Sequence, residues 1–397
     1  MSRTSAAAIY LLFAINYSTI ESRNAPSQKE ILQCKDENNL PVDWYVMYKI
    51  PKISETSDPM IRKGISYMYM TSETVASGWK LSKKNISSGD SIPGNTLNPI
   101  YTDDVALRSM WLMYNDHAPN STANAKYGHT KGVVMTDGVK GFWLIHSVPG
   151  FPPVPRTGSN RPRRRSSQQS ELPTVDEVHY TGGEYSYPNS GTNYGQSFMC
   201  ISVKADQVDV IARQLMYNQI IPYRKNVPSS LASEYPVFVN ASNRIRIRDA
   251  PYNKKATIRS AAGAEFISFA KSDKWQKDLY DDFVAPQLNS DLLVETWLNG
   301  RGKLPSYCSG PKVNNVESVA LREANVDFTS SRDHSKWAIS ATSGKKRNWV
   351  CVGDINRADT QFSRGGGTVC YNSQDLWTNY KSAVGEVEPC PRKIVMI

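Results

Sequence analysis

The sequence has few histidines, few charged residues and no long apolar run after its first segment. Only five of the 397 residues are histidine, and no cysteine pair has the C-x-x-C spacing that is typical of zinc sites. No carboxylate cluster of the kind that holds a nuclease metal stands out. Charged residues make up 21% and hydrophobic residues 40%, which argues against wholesale disorder. We therefore expect a folded protein that uses no metal ion and no other cofactor.

The first residues and the cysteines indicate an exported protein. Arg3 precedes a short apolar stretch, residues 6–15, that is too short to cross a bilayer, so we expect a signal peptide over about residues 1–22. The six cysteines form an even number, which in an exported chain favours disulfides. Three glycosylation sequons agree with that setting: Asn85, Asn120 and Asn240. We expect a secreted or lysosomal protein without a membrane span.

One stretch differs sharply from the rest of the chain. Residues 151–182 are rich in proline, serine and arginine, so we expect a flexible, exposed insertion there. Its arginines could contact a phosphate backbone, although a solvated insertion or a protease-cut site is the simpler interpretation. The net charge of +10 likewise favours a polyanionic partner, but solubility alone also explains it.

Strand patterns and helix patterns mix along the whole chain. Apolar residues recur at helical spacing over residues 206–220 and 375–384. Five segments rich in aromatic and β-branched residues predict strands, and an Asp-Gly turn joins the second to the third. These segments are residues 42–50, 132–135, 142–148, 195–203 and 347–354. The mixture favours an α/β or α+β fold, in one large domain or two ordinary ones.

Two of the five histidines stand in the same short motif, H-x-K. His129 and Lys131 lie in "GHTKG", and His334 and Lys336 lie in "DHSKW". A predicted strand with a tryptophan follows each histidine, the tryptophan 14 residues on in the first case and 15 in the second. Side chains at i and i+2 of a strand lie on one face, so each motif directs an imidazole and an ammonium to one point. The matched surroundings indicate a duplicated half-site rather than two unrelated histidines.

Two such motifs that face each other are suited to a phosphodiester. Two lysines can neutralise the anionic oxygens without a metal. One neutral imidazole can attack phosphorus and form a covalent intermediate, while the other, protonated, gives its proton to the departing oxygen. Histidine suits both roles because its pKa lies near ambient pH. The motifs therefore predict phosphodiester cleavage, without deciding which histidine attacks.

The chain resembles the deoxyribonuclease II family in stretches that extend from about Cys34 to Cys390. They are "PVDWYVMYKIPK", "GHTKG", "GFWLIHSVPGFPP", "NYGQSFMCIS", "DHSKWAIS", "WVCVGDINR" and "RGGGTVCYNSQDLW". The resemblance implies a phospholipase D-like α/β fold of two pseudo-twofold-related halves. Each half would have a central mixed β-sheet flanked by helices and one H-x-K, with the active site between the halves. We place the halves at residues 34–240 and 241–397.

The resemblance also implies an activity and its residues. The activity is an acid endonuclease that cleaves DNA without metal and leaves 3′-phosphate and 5′-hydroxyl ends. His146 matches a further family histidine and Asn356 ends a G-x-x-N, so both are expected to support the site. The catalytic residues would be His129, Lys131, His334 and Lys336. The implied disulfides are Cys34–Cys200, Cys308–Cys390 and Cys351–Cys370.

Two rival functions stay open beside an acid deoxyribonuclease. One is a non-catalytic DNA-binding protein on the same fold, which the two intact motifs argue against. The other is a phospholipase D-type phosphodiesterase, whose chemistry would be the same; the basic charge favours DNA. The wider superfamily has an aspartate five residues after the lysine, where this chain has Thr136. We assign His129 as nucleophile and His334 as general acid, and expect a monomer or homodimer.

Overall fold

The computed structural model describes residues 32–155, 184–344 and 347–390. The predicted signal peptide, and all but the first five residues of the predicted insertion, lie outside the described residues. The strands of the first sheet are β1 Trp44–Lys49, β2 Tyr67–Thr71, β3 Lys80–Leu81, β4 Met110–Asn115, β5 Lys131–Thr136, β6 Lys140–His146, β7 Gln196–Lys204 and β8 Pro222–Asn226. The later strands are β9 Asn253–Arg259, β10 Glu265–Lys271, β11 Leu292–Glu295, β12 Val313–Asn315, β13 Ser318–Leu321, β14 Val326–Thr329, β15 Trp337–Ser340, β16 Trp349–Gly353 and β17 Gly366–Asn372.

The α-helices are short and lie mostly between strands. They are α1 Pro59–Lys63, α2 Ile92–Leu97, α3 Asp103–Arg108, α4 Val208–Asn218, α5 Ser229–Ala232, α6 Pro236–Ser242, α7 Ala285–Leu288 and α8 Gln374–Ser382. The two helices that the sequence predicts correspond to α4 and α8, and the five predicted strands overlap β1, β5, β6, β7 and β16, so these predictions are confirmed. Among the described residues, no helix is long and apolar enough to cross a membrane.

Two large sheets hold most of the strands. The first has eight strands in the order β3-β2-β1-β7-β6-β5-β4-β8, and all of its pairs are antiparallel. The second has seven strands in the order β12-β11-β15-β16-β17-β10-β9, and only β11 and β12 are parallel. Strands β13 and β14 form a separate antiparallel pair.

The two sheets repeat one arrangement of strands. In the first, β4-β5-β6-β7 lie side by side and α4 follows β7; in the second, β11-β15-β16-β17 lie side by side and α8 follows β17. The predicted α/β fold class is therefore confirmed. The prediction of a mixed sheet holds for the second half but is wrong for the first. Strand β8 returns antiparallel to β4, whereas a long connection after β11 lets the chain re-enter as β12 in the parallel direction.

The sheets pack through one shared core. Along β1, Trp44 and Tyr48 point into one buried cluster while Tyr45 and Met47 point into another, as the twofold period of a strand requires. The first cluster also takes side chains from β15, β16, β17, α4 and α8, so it forms the layer between the two sheets. Separate clusters cover the outer face of each sheet. The predicted boundary between residues 240 and 241 falls inside α6, and the division into halves stays a prediction.

All six cysteines form disulfides. Cys34–Cys200 attaches the segment before β1 to β7, and Cys351–Cys370 joins residues that are partners in the register of β16 and β17. The third bridge, Cys308–Cys390, joins the segment before β12 to the last described residue. These are the pairs that the resemblance implied.

Candidate active site

The two H-x-K motifs meet at neighbouring strand ends. Lys131 is the first residue of β5, and Lys336 directly precedes β15, so each motif stands at the start of its strand rather than inside it. The rings of His129 and His334 face each other with their centroids 6.5 Å apart and their planes at 61°. The structure thus brings together the histidines that the sequence paired.

The backbone of each histidine is held by a turn that leads into a strand of the other sheet. The N–H of His129 donates to the carbonyl oxygen of Gly365, just before β17, at 2.9 Å. The N–H of His334 donates to the carbonyl oxygen of Gly195, just before β7, also at 2.9 Å. Both acceptors must be glycine for steric reasons. A Cβ on Gly195 would lie 2.3 Å from the Asp333 carboxylate, and one on Gly365 would lie 2.4 Å from a backbone oxygen.

The imidazole rings are also held across the two halves. Nδ1 of His129 lies 2.9 Å from Oε1 of Gln361, and Nδ1 of His334 lies 3.2 Å from Oε1 of Gln196. An amide oxygen only accepts hydrogen bonds, so at His129 it fixes the tautomer with Nδ1 protonated and Nε2 free. The sequence did not single out either glutamine. Gln196 lies within a stretch that resembles the family, and Gln361 lies five residues after Asn356.

A buried ion-pair network surrounds the first lysine. Nζ of Lys131 pairs with one oxygen of Asp116, and Nη2 of Arg364 pairs with the other at 2.8 Å. Burial tends to raise the pKa of Asp116, but the charges of Lys131, His129 and Arg364 outweigh it and hold that pKa well below its usual range. Asp116 is therefore a permanent anion that orients Lys131 and joins Arg364 of the second half to the first. The sequence analysis missed both Asp116 and Arg364.

The second lysine has different neighbours. Nζ of Lys336 donates to the backbone oxygen of His334 at 2.6 Å and lies 3.0 Å from Nδ1 of the same residue. Burial lowers the pKa of Lys336 well below its usual range, and the nearby charge of Lys131 lowers it further. An anion bound beside both lysines would compensate the charge of Lys131 that acts on Lys336.

The pKa values of both histidines are shifted in the same direction. Burial lowers the pKa of His129 and of His334 well below the usual value, and the neighbouring lysines lower it further. Asp116 acts in the opposite sense on both rings. An anionic substrate between the lysines would add negative charge and raise both pKa values. The site is thus prepared for a phosphate, since protonation of an imidazole becomes easier once the phosphate is bound.

The two residues expected to support the site lie at its edges. His146 ends β6, is fully buried, and packs against Phe151 and Phe198. Its Nδ1 accepts from the N–H of Val148, and burial lowers its pKa, with Lys131 lowering it further. Asn356 is buried, and its Oδ1 has no hydrogen-bond partner among the described residues. Among the described residues, neither side chain makes a hydrogen bond or a ring contact with the facing histidines.

Carboxylates near the site differ from those that the wider superfamily pattern suggests. Thr136 lies at the far end of β5 and bonds to the turn before β6, away from the motif. Asp354, which follows β16, accepts from the backbone N–H groups of Lys131 and Gly367. Burial raises the pKa of Asp354 to about 7, although Lys131 opposes this. Among the residues that the structure describes, no group of three or more His, Cys, Asp and Glu is placed to hold a metal ion.

The paired imidazoles and ammoniums, held between two similar sheets, define a class of protein that handles phosphodiesters. The family described as deoxyribonuclease II matches residues 33–390. Plancitoxin-1 of Acanthaster planci is 35% identical over 383 residues, which cover 96% of this chain and 98% of that protein. Deoxyribonuclease-2-alpha of Sus scrofa is 35% identical over 367 residues, covering 91% of this chain and 92% of that protein. Deoxyribonuclease-2-beta of Homo sapiens is 33% identical over 364 residues, covering 90% and 92%.

The chain belongs to the deoxyribonuclease II family, as the motifs predicted. It is therefore a nuclease, a hydrolase of phosphodiester bonds.

Proposed function

We propose that the protein is an acid endonuclease that hydrolyses DNA without metal through a phosphohistidine intermediate and leaves 3′-phosphate and 5′-hydroxyl ends. The observation that carries this proposal is the pair of facing imidazoles of His129 and His334, 6.5 Å apart, beside Lys131 and Lys336. The lysines supply the cationic contacts for the phosphate oxygens, and the histidines supply a nucleophile and an acid.

His129 is the nucleophile in this proposal. Its Nδ1 donates to Oε1 of Gln361, so Nε2 keeps its lone pair. Nε2 attacks phosphorus and forms an N–P bond as the bond from phosphorus to the 5′ oxygen breaks. The 3′ oxygen stays on phosphorus, so the strand that ends at this oxygen is attached to the enzyme. Asp116 keeps Lys131 directed at the phosphate during this step.

His334 is the general acid and then the general base. In its protonated form the ring donates from Nδ1 to Oε1 of Gln196, 3.2 Å away, and carries its second proton on Nε2. That proton goes to the departing 5′ oxygen. The neutral ring then takes a proton from water, whose oxygen attacks phosphorus, and the N–P bond breaks. The products are a 3′-phosphate, a 5′-hydroxyl and free His129.

Acid pH supports the first step because His334 must carry its second proton. The pKa of His334 is lowered by burial and by the lysines, and bound phosphate moves it back towards its usual value. His129 must be neutral at the same time. Two such groups give a bell-shaped dependence of rate on pH.

His146 and Asn356 would support the site from its edges. His146 would do so through its place on the same face of the first sheet as Lys131.

The setting of the enzyme is part of the proposal. We infer a secreted or lysosomal protein, active as a monomer or homodimer, with DNA as its substrate. Two of the three sequon asparagines, Asn120 and Asn240, are exposed, and Asn85 is half-buried, so glycan attachment at the first two needs no rearrangement of the core.

A plasmid-nicking assay tests the function. Purified protein is incubated with supercoiled plasmid in EDTA at about pH 5 and about pH 8, beside a His129→Asn, His334→Asn double variant. We expect nicking by the wild type at acid pH, none by the double variant, and ends that can be ligated only after a phosphatase removes the 3′-phosphate and a kinase phosphorylates the 5′-hydroxyl. DNA retention without nicking would favour the non-catalytic binding protein. Loss of nicking in EDTA, with recovery in magnesium, would rule out the metal-free mechanism.

An assay with a lipid substrate distinguishes the proposed nuclease from the remaining alternative, a phospholipase D-type phosphodiesterase. Vesicles of phosphatidylcholine are incubated with the same two proteins, and free choline is measured. We expect no choline above that of the double variant. Choline release without plasmid nicking would favour the phospholipase D-type activity.

A further inference from the structure

Two aromatic side chains lie beside the general acid. The ring of Trp297 meets the ring of His334 edge to face, with centroids 5.3 Å apart and planes at 62°. Tyr194 in turn meets Trp297 at 4.7 Å and 81°. Tyr194 is 37% exposed and Trp297 is half-buried, whereas most large aromatic side chains of the described residues lie in the core. The pair therefore presents an aromatic surface to solvent next to the reacting centre.

Trp297 occupies the place that Asp116 takes in the first half. In the first sheet Asn115 pairs with Lys131, so Asp116 follows opposite Thr130. In the second sheet Glu295 pairs with Trp337, and the same register places Trp297 opposite Ser335. The two halves thus put a carboxylate against one lysine and an indole against the other histidine. This difference breaks the symmetry of the site and gives its two sides different ligands.

The segment that follows Trp297 is basic, and its backbone is hydrogen-bonded to the turn that carries Gln361, the partner of His129. Arg301 and Lys303 are exposed in it. The N–H of Asp359 donates to the Gly302 oxygen at 2.8 Å, and Asp359 begins the turn that ends with Gln361. An aromatic ring beside exposed cations is the usual means of holding a nucleobase and its phosphates.

We propose that Trp297, supported by Tyr194, is a stacking subsite for one unpaired nucleobase of the DNA substrate. This proposal rests on the proposed function, in which His334 protonates the departing 5′ oxygen and therefore lies beside the strand that leaves. The stacked base therefore belongs to the nucleotide whose 5′ oxygen departs. That base must leave its own stack, so the DNA is locally unpaired at the site when it is cleaved. Stacking on an aromatic side chain accounts for roughly a 5- to 150-fold effect.

Removal of the ring should affect a substrate with bases and spare one without them. We compare kcat/KM of Trp297→Leu, Trp297→Phe and wild type on a single-stranded oligonucleotide and on bis(4-nitrophenyl) phosphate. We expect a loss of roughly 5- to 150-fold for Trp297→Leu on the oligonucleotide, partial retention in Trp297→Phe, and little change on the small diester. An abasic residue on the leaving side should slow the wild type and not slow Trp297→Leu further. Tyr307→Leu, at a tyrosine of the same 37% exposure as Tyr194, should change neither rate.

Two outcomes overturn the inference. A loss for Trp297→Leu on the abasic oligonucleotide as large as its loss on the intact one would mean that Trp297 acts through His334 or the fold, and no loss on either would mean that no base stacks there. Failure of the proposed function is seen separately, as absence of oligonucleotide cleavage by the wild type. In that case, binding of a labelled single strand to a His129→Asn background still tests the subsite. Weaker binding on adding Trp297→Leu supports it, and unchanged binding overturns it.

Discussion

Among single residues, the two H-x-K motifs have nearly the same sequence but different neighbouring side chains. Lys131 faces the anion Asp116, whereas Lys336 contacts the imidazole of its own motif. Gln361 accepts from Nδ1 of His129 and leaves Nε2 free to attack. The two motifs thus surround their histidines differently, and we propose His129 as the nucleophile and His334 as the acid.

The two proposed roles predict that variants of the two histidines differ in their activity on an activated substrate. Each histidine is replaced by asparagine, and rates are measured on plasmid and on an activated phosphodiester with a good leaving group. His129→Asn should abolish both reactions, because no nucleophile remains. His334→Asn should abolish plasmid cleavage but spare much of the activated reaction, because that leaving group needs no proton. The reverse pattern would exchange the roles, and unimpaired plasmid cleavage in both variants would end the catalytic interpretation.

Gln361 offers a second prediction at the same scale. In Gln361→Glu a carboxylate replaces the amide beside Nδ1 of His129 and favours the protonated ring. The acid limb of the pH profile of kcat/KM should then move up by roughly 1–3 pH units, because the nucleophile must lose that proton. Gln287→Glu, which adds the same charge at an exposed residue of α7, is the control. An unshifted limb in Gln361→Glu would separate Gln361 from the nucleophile.

Among the elements, the site depends on the starts of β7 and β17. The turns before these strands carry Gly195 and Gly365, which accept from the histidine of the other half. The disulfide Cys351–Cys370 bridges β16 and β17, and Cys34–Cys200 ties β7 to the segment before β1. Each strand that supports a histidine is thus covalently attached to a second segment.

The two disulfides should differ in their effect on stability. Cys34–Cys200 spans 166 residues and Cys351–Cys370 spans 19, and a longer loop loses more conformational entropy in the unfolded chain. Replacing the first pair by alanine should lower the free energy of unfolding by about 5 kcal/mol, and replacing the second by about 3 kcal/mol. Urea unfolding without reductant measures both. A larger loss for the short loop would contradict this entropic account.

In the whole molecule, buried carboxyls favour acid conditions. Burial raises the pKa of Asp333, Glu295 and Asp354, and neither oxygen of Glu295 has a hydrogen-bond partner among the described residues. Such groups stay protonated in the folded protein at a pH where the unfolded chain has ionised them. The stability that they contribute is therefore present at low pH and is lost as pH rises. The buried histidines act oppositely, because acid must charge them.

The contribution of one buried carboxyl, Asp354, to the pH dependence of stability can be measured separately. Its pKa rises from 3.8 to about 7 on folding, so stability falls as pH rises from about 4 to about 7. Asp354→Asn removes this dependence, and the wild type should lose about 4 kcal/mol more than the variant across that range. Urea unfolding at several pH values measures the difference. Asp327→Asn, at an exposed carboxylate, should follow the wild type, and parallel curves for Asp354→Asn and wild type would refute the assignment.

Much of the fold was predictable because strand and helix patterns are local. The twofold alternation along β1 and the helical spacing of α4 and α8 follow from residues close together in sequence. The duplicated H-x-K and its tryptophan strand likewise pointed to four site residues. The sheet type of the first half was wrong, because the direction of an edge strand depends on how the chain returns, which no local pattern records.

The α/β class, the repeated motif and the family could be predicted from the sequence alone. Which further residues complete the site depends on the packing of the two sheets. Asp116 with Arg364, and Gln361 with His129, are separated by more than 230 residues, and their pairing depends on how two sheets pack. The asymmetry between Asp116 and Trp297 arises in the same way, since equivalent strand positions become visible only when the registers are known. Local sequence specifies elements, whereas burial and packing across the core specify the contacts that tune the histidines.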